Sequence, residues 1–275
     1  ADMSNLASGL TVNGTIANSV AYTGSLTSLD SLTVDVGATL TTDADNIEDV
    51  TTTNNGIVTV NNLQAITDMD LTKITGGTTN ANWSGDATFT GNVGSSNLTV
   101  SSGIMTISDA STINSVSSIV VNGAVIVNAS KVDADTISGS GIITVNNLDS
   151  TLGMDFTNIT TATVNADFSG TGTYLGNLTN VDALTVSGGT MTVTDDILGS
   201  LATSGAGNII VEVNTTSAQD FANLTLSGSE TIQFTGNSIF TGNFQNSDVL
   251  VDGGVTLTTD AVKLNGKTAT GTGTI

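Results

Sequence analysis

The sequence predicts an all-β fold: a right-handed parallel β-helix (β-solenoid) of about twelve coils of roughly 22 residues each. Three observations lead to this prediction: the composition, a repeat that runs through most of the chain, and the spacings between its copies. The 275 residues include 31 Gly and no Pro, and only 4% are aromatic. Val, Ile and Thr favour strands, whereas Gly, Asn, Asp and Ser favour turns. The composition therefore favours short strands joined by tight turns.

The repeat is clearest in the middle of the chain. Residues 56–63 (GIVTVNNL) match residues 141–148 (GIITVNNL), and the similarity continues for more than fifty residues. Weaker copies lie near the start and near the end of the sequence. We therefore expect one β-solenoid over residues 1–275, built from four imperfect repeats at about 1–53, 54–138, 139–204 and 205–275.

The spacings between the copies indicate whole coils. The interval from Leu98 to Leu184 is longer than the intervals from Leu32 to Leu98 and from Gly188 to Gly253, which are nearly equal. The difference is about 20 residues, which is close to one coil. A solenoid accommodates an additional coil because each coil contacts only its neighbours. The second repeat is therefore expected to hold one extra coil.

Alternating apolar and polar residues predict the strands within each coil. Leu98-Thr-Val100 and Ile142-Ile-Thr-Val145 place apolar side chains at every second position, where they point into the core. Pairs such as Gly188-Gly189 turn the chain, because glycine reaches a positive φ at little cost.

The extra coil of the second repeat is expected near residues 113–138. The expected right hand follows from the general rule for parallel crossovers.

Large aromatic residues recur at two positions of the repeat. One position holds Trp83, Phe168 and Phe234; the other holds Tyr22, Phe89, Tyr174 and Phe240. Packing at a corner of the coil is the favoured interpretation, and a platform on which surface glycans stack is the alternative.

The charge balance excludes several partners. The formal net charge is −21, from 25 acidic residues and four Lys, with no Arg. A chain this acidic repels phosphate backbones, so nucleic acid is not an expected partner, and the same charge opposes docking on anionic lipid. No apolar run comes close to the length that a membrane-spanning helix needs, so none is expected. Such a charge suits a protein exposed to salt or calcium outside a cell.

Most catalytic chemistry is excluded by composition. The sequence has no His and no Cys, which removes the Ser-His-Asp triad and thiol chemistry. Paired carboxylates can hydrolyse glycosides without His, and β-helical folds host such enzymes. The sequence has no Arg for a sugar-binding cleft, and the duplication dilutes any single site. We therefore expect no enzymatic activity.

Pairs of Asp residues are the one pattern that points to a ligand. Two carboxylates separated by one residue in a turn supply hard oxygen ligands, and backbone carbonyls could complete a Ca²⁺ shell. Solvated turn carboxylates are the alternative. The candidate calcium ligands are Asp43, Asp45, Asp68, Asp70, Asp133 and Asp135.

Other polar residues point to structural roles. Asp70, Asp155 and Asp220 share one repeat position beside an apolar residue, which indicates a turn or a cap. Asn61-Asn62 and Asn146-Asn147 follow equivalent strands, and their amides are expected to form hydrogen-bonded ladders between coils.

The two ends of the sequence lie in matching phases of the repeat. Residues 1–6 (ADMSNL) resemble 154–159 (MDFTNI), and residues 271–275 (GTGTI) resemble 139–142 (GSGI). Either the chain is a segment of a longer array, or molecules stack head to tail. A head-to-tail contact does not close, so it generates filaments or lattices.

The Leu-Thr-Val and Met-Thr-Val strands, repeated across nearly the whole chain, resemble bacterial or archaeal extracellular β-solenoid repeat proteins of the surface-filament, S-layer or adhesin-passenger type. The resemblance implies an extracellular or cell-surface location and a structural subunit of a filament, sheath or S-layer. The alternatives are a passenger or stalk segment of a surface adhesin, and a phage tail-fibre or polysaccharide-active β-helix. The resemblance carries no functional residue over to this chain.

Overall fold

The computed structural model describes residues 11–113, 116–132, 135–149, 153–161 and 163–275. The chain is all-β, 9% helical, and its parallel sheets stack as a β-solenoid of about 13 turns. The predicted parallel β-solenoid is confirmed, with about one turn more than the sequence suggested.

The strands are short because each covers only one side of a coil. In the described part of the chain, the first sixteen are β1 (Asn13–Ile16), β2 (Val20–Ala21), β3 (Ser31–Val34), β4 (Thr39–Asp43), β5 (Thr52–Asn54), β6 (Ile57–Asn61), β7 (Ile74–Thr75), β8 (Thr78–Trp83), β9 (Ala87–Phe89), β10 (Asn97–Val100), β11 (Ile104–Ile107), β12 (Ser118–Val121), β13 (Ala124–Asn128), β14 (Ile137–Ser138), β15 (Ile142–Leu148) and β16 (Ile159–Thr160). The later strands are β17 (Thr163–Phe168), β18 (Thr171–Thr173), β19 (Ala183–Val186), β20 (Thr190–Thr194), β21 (Ala202–Gly205), β22 (Asn208–Val213), β23 (Leu224–Leu226), β24 (Glu230–Phe234), β25 (Ser238–Phe240), β26 (Asp248–Val251), β27 (Leu257–Thr259) and β28 (Ala269–Gly271).

Single helical turns connect some of the strands. Within the described residues, three are α-helical: α1 (Ala44–Ile47), α2 (Ala129–Val132) and α3 (Asp195–Leu198). Four 3-10 turns in the same part of the chain cover Leu63–Ala65, Leu71–Lys73, Phe221–Asn223 and Ala261–Leu264.

The chain divides into two compact units. The first unit contains the described residues up to Ile143 together with 158–161, and the second contains the other described residues up to Ile275. The boundaries of the four repeats stay a prediction.

Each unit is built from parallel pairs between a strand and the strand two places further along the chain. In the first unit the strand orders are β1-β3-β5-β7, β2-β4-β6-β8-β10-β12-β14-β16 and β9-β11-β13. In the second unit they are β15-β17-β19-β21-β23, β18-β20-β22-β24-β26-β28 and β25-β27. This pairing is what a coil carrying two strands produces, because each turn returns the chain to the same side one layer further on.

At intervals a coil carries three strands instead of two, and there one sheet ends as another begins. Strand β7 is the last of its sheet, and β9 is the first strand of another sheet. In the same way, β16 and β23 each end a sheet, and β18 and β25 each begin one. These three-strand coils recur with the repeat. The interval predicted to hold an extra coil contains β12, β13, α2 and β14.

The core is formed by alternate residues of each strand. In β10, for example, Leu98 and Val100 are buried, while Asn97 and Thr99 are only partly covered. The aromatic residues Trp83, Phe168 and Phe234 each end a strand and are fully buried. Corner packing is therefore confirmed at this position, and the alternative of a sugar-stacking platform is wrong there because no ring face is exposed.

The second aromatic position behaves in the same way. Phe89, Tyr174 and Phe240 are buried, whereas Tyr22 is partly exposed. The hydroxyl of Tyr174 donates a hydrogen bond of 2.7 Å to the carbonyl of Met154.

One glycine position shows why the coils stay in register. Gly139, Gly205 and Gly271 have φ values of 127°, 126° and 107°. A Cβ there would lie 2.1, 2.2 and 2.0 Å from a valine carbonyl oxygen in the preceding coil. Any other residue would clash with that backbone and would be strained at this φ. The three glycines are equally spaced along the chain, at the same interval as Leu32 and Leu98.

Candidate functional site

The predicted calcium ligands lie in different local structures. Asp43 ends β4 and is partly buried, and its Oδ1 accepts a hydrogen bond of 2.8 Å from the side-chain amide of Asn62. Asp45 is exposed in the first turn of α1, and Asp68 is exposed in a turn. Asp135 is partly buried after α2, whereas Asp133 lies outside the described residues.

These Asp pairs do not form one dense carboxylate cluster. Across the residues that the structure describes, no three Asp, Glu, His or Cys side chains converge on a point that could hold a metal ion. Two carboxylates with carbonyl oxygens can still bind Ca²⁺, so calcium binding at the six Asp residues stays a prediction.

The shared repeat position of Asp70, Asp155 and Asp220 is a cap, as predicted. The Oδ1 of Asp70 accepts hydrogen bonds from the N–H and the hydroxyl of Thr72, at 3.0 and 2.6 Å. The same atom of Asp155 accepts from the N–H of Thr157, and that of Asp220 accepts from the N–H of Ala222, both at 2.9 Å. These carboxylates are therefore occupied in holding the chain where it enters a three-strand coil.

Each of these caps is stacked on an asparagine of the next coil. Isolated parallel bridges join Asp70 to Asn92, Asp155 to Asn177 and Asp220 to Asn243. The three asparagines accept, in their turn, from the N–H two residues further on, at 3.0, 2.8 and 3.0 Å. The result at each of the three places is a pair of side-chain caps on neighbouring coils.

Side-chain amides also connect the coils, as predicted for Asn61 and Asn62. Asn61 accepts from the amide of Asn82 at 2.8 Å, and Asn62 donates to Asp43. Asn147, at the equivalent position of the next copy, accepts from the hydroxyl of Ser169 at 3.2 Å. Asn62 and Asn147 both have positive φ, 53° and 56°. Their role is structural.

A longer ladder runs along the partly exposed face of the first unit. It joins Thr59, Asn80, Asn97 and Ser118 in four successive strands, with side-chain contacts of 3.3, 3.1 and 3.1 Å. Sequence reasoning missed these residues, although each lies at the same phase of a strand.

Two open polar pockets contain acidic residues, and one of them contains the predicted calcium ligand Asp43. In the first unit, a pocket of about 450 Å³ is lined by Asp43, Asn61, Asn62, Asn82, Ser84 and Ser101. In the second unit, a pocket of about 520 Å³ lies against Asp195 and Asp196 of α3 and the segment 214–219. Hydroxyl and amide groups dominate both linings, which suits water or a hydrated ligand more than an apolar one.

A third pocket holds a residue that sequence reasoning did not select. It has a volume of about 440 Å³ and is lined by Thr225, Leu226, Gly228, Ser229, Glu230, Asn246 and Asp248. Glu230 is only 7% exposed, although it is ionisable. Buried carboxylates are uncommon unless they are paired, so this one marks a special environment.

One ion pair contributes to the surface electrostatics. The amine of Lys73 donates a hydrogen bond to the carboxylate of Asp49, 24 residues earlier. This hydrogen bond raises the pKa of Lys73 above its ordinary value of 10.5, against a smaller opposing effect of desolvation.

The last strand presents an edge to which no described strand is paired. Strand β28 pairs with β26 through Ala269, Thr270 and Gly271 and ends its sheet. The equivalent strands of earlier copies, β14 and β21, are paired on their far side with β16 and β23.

Comparison with known proteins adds no functional assignment. No family model matches the chain, and no curated protein or solved structure is significantly similar to it. Among the described residues, no helix has the length and apolar character needed to cross a membrane.

Proposed function

We propose that the chain is a structural subunit of an extracellular filament, sheath or S-layer that assembles by end-to-end stacking of solenoid coils. The observation that carries the proposal is the edge of β28. Strands β14 and β21 pair with a further strand at this edge, and β28 has the same place in the repeat. We infer that a second copy of the chain supplies the next strand.

The equivalence of β28 with the earlier strands rests on backbone geometry. Gly139 follows β14, and Gly205 and Gly271 end β21 and β28; all three have a similar strained φ against a valine carbonyl. The strand that pairs with β14 begins at Ile159. Residues 1–6 of the sequence resemble residues 154–159, the segment that leads into this strand.

The alternation of backbone hydrogen bonds between β26 and β28 identifies which N–H groups of β28 are free to bond to another strand. The N–H of Val249 donates to the carbonyl of Thr268, and the N–H of Thr272 donates to that of Val251, at 2.8 and 3.1 Å. In a parallel pair, the intervening residue Ala269 therefore directs its N–H away from β26. Such a row of unpaired groups is a template for another strand.

The net charge sets the conditions for assembly. Copies with a net charge of −21 repel each other at low ionic strength, and salt screens this repulsion over distances beyond about 10 Å at 0.1 M. Because salt outside a cell would screen this charge, we propose an extracellular or surface location. We propose no catalytic role, because the chain lacks His, Cys and Arg.

Sedimentation velocity and negative-stain microscopy test the proposal. We expect the purified chain to form assemblies whose length grows with protein concentration and with added salt. The Ala269→Pro substitution removes the outward N–H donor but leaves the bonds to β26, so it should abolish assembly while the circular dichroism spectrum is kept. Leu175→Ser, at a residue that is 72% exposed between β18 and β19, is the matched control and should assemble normally.

The passenger or stalk of a surface adhesin is the second candidate. The same edge of β28 would then be covered by a further coil of one longer polypeptide. A chain that stays monomeric at every concentration and ionic strength would overturn the filament proposal and favour the stalk.

A further inference from the structure

We propose that the pocket around Glu230 binds a calcium ion, which Glu230 and Asp248 hold together with neighbouring oxygen atoms. This site is separate from the six Asp residues singled out by the sequence. It is also independent of the filament proposal, because it lies within one chain.

Glu230 occupies a position that normally belongs to the core. It begins β24 in phase with Ile232 and Phe234, which are both buried. Counting back from the aromatic that ends each strand, the equivalent residues are Thr79 in β8 and Val164 in β17. The fourth copy therefore has a carboxylate where the third copy has an aliphatic side chain.

The carboxylate of Glu230 is only half satisfied. Its Oε1 accepts a hydrogen bond of 2.8 Å from the N–H of Leu226. Its Oε2 is buried and has no hydrogen-bond partner. Burying a polar atom without a partner is costly, more so when the group is ionised.

A second unsatisfied atom lies beside it. The register pairs Thr231 with Asp248, which places Ser247, the residue before β26, opposite Glu230. Ser247 is fully buried, and its hydroxyl also has no partner. In the second copy the equivalent Ser96 donates to the carbonyl of Val93 at 2.7 Å. Two buried oxygen atoms at this pair of positions, one on Glu230 and one on Ser247, therefore lack a hydrogen-bond partner.

The other residues of the pocket complete a set of oxygen ligands. Asp248 is exposed and lines the same pocket as Asn246, and Thr225 and Ser229 add hydroxyl groups. No lining residue is basic, so no side chain of the pocket neutralises the two carboxylates. Ca²⁺ takes six to eight oxygen ligands in flexible geometry, including water, which suits this mixed set better than the strict octahedron of Mg²⁺.

The experiment compares calcium binding and thermal stability in chelator-stripped protein. Isothermal titration with CaCl₂ is expected to show binding to the wild type, and its unfolding temperature should rise in calcium. Glu230→Gln should lose both the heat of calcium binding at this site and the calcium-dependent rise in unfolding temperature. Glu212→Gln is the matched control: Glu212 lies on the partly exposed side of β22, outside the pocket, so its variant should respond to calcium like the wild type.

A second variant separates calcium from a simple buried defect. Glu230→Val installs the residue that β17 already carries, so the variant should fold, and in chelator it should unfold at a higher temperature than the wild type. Added calcium should raise the unfolding temperature of the wild type to that of the variant, whereas the unfolding temperature of the variant should not change. Asp248→Asn, at an exposed position, should weaken calcium binding without a large change in stability in chelator.

Two results would overturn the proposal. One is a wild type whose unfolding temperature is the same in calcium and in chelator, because the unsatisfied atoms would then be served by water. The other is a Glu230→Gln variant that binds calcium as tightly as the wild type and the Glu212→Gln control.

Discussion

The third and fourth copies of the repeat share the same strand pairing but have different polar residues at one pair of facing positions. Phe168 and Phe234 end equivalent strands of the two copies, and Val186 and Val251 end the strands that pair with them. In the third copy, Asp182 lies beside Val164 and its carboxylate accepts from the N–H of that residue at 2.7 Å.

In the fourth copy the acidic residue lies on the other strand of the pair. Ser247 occupies the position equivalent to Asp182, and Glu230 occupies the position equivalent to Val164. Each copy thus has one acidic side chain at this pair of positions, but on a different strand. Caps and glycines hold the backbone of the coil, so residues between them can change character without changing the fold.

The largest expected effect concerns the aromatic residues that end these strands. Phe168→Ala and Phe234→Ala should each lower the free energy of unfolding by about 3–5 kcal/mol, because both rings are fully buried. The loss should be larger for Phe234, whose ring contacts Phe240 and Phe244 at centroid distances of 5.8 and 6.1 Å. Each aromatic pair adds about 0.5–1.5 kcal/mol beyond its area.

Urea unfolding followed by circular dichroism measures both losses. Ile239→Ala, at a residue of β25 that is 53% exposed, is the control and should change little. Equal losses at Phe168 and Phe234 would mean that the ring cluster of the fourth copy adds nothing to the packing.

Much of this fold could be predicted from the sequence because the repeat brings equivalent residues into one column. The shared position of Asp70, Asp155 and Asp220 correctly indicated a cap, since one carboxylate at one phase of every copy serves the backbone. The aromatic position was predicted for the same reason. Strand alternation, however, shows only which residues point inward. It does not show which strand is the partner, so the exchange of sheets at the three-strand coils was missed.

The candidate sites were harder to predict, for a different reason. The Asp-x-Asp spacing assumes that both carboxylates lie in one turn, but Asp43 ends a strand and faces Asn62, while Asp45 begins a helical turn. Glu230 could have been found, because it alternates with Ile232 and Phe234 and is therefore directed inward. Whether its Oε2 finds a partner depends on the neighbouring strand, which the sequence alone does not place.

A smaller effect is expected from the carboxylate of the third copy. Asp182→Ser copies the fourth repeat and removes the hydrogen bond to the N–H of Val164. Asp182 is exposed, so water replaces part of that bond, and the free energy of unfolding should fall by about 1 kcal/mol. The variant should gain no calcium response, since Val164 supplies no carboxylate. A calcium-dependent rise in its unfolding temperature beyond that of the wild type would contradict the assignment of the ion to Glu230.

The smallest expected effect concerns Lys73, which has Asn223 as its equivalent in the fourth copy. Both side chains reach back one coil: Lys73 to Asp49, and Asn223 to the carbonyl of Ser200 at 2.7 Å. Lys73→Asn should therefore keep the fold and remove only the ion pair. Because the pKa of Lys73 is raised in the folded protein, its contribution is fully present below the ordinary value of 10.5 and is lost as the pH rises through the folded value.

Thermal unfolding of the wild type and of Lys73→Asn, measured from neutral to strongly alkaline pH, tests this sign. The wild type should be slightly more stable near neutral pH, and the difference should disappear at alkaline pH and at high salt, since an exposed pair is screened. Asp49→Asn should reproduce the loss, and the double variant should lose no more than either single variant. A difference that is the same at neutral and at strongly alkaline pH would show that Lys73 acts through the packing of its aliphatic chain and not through its charge.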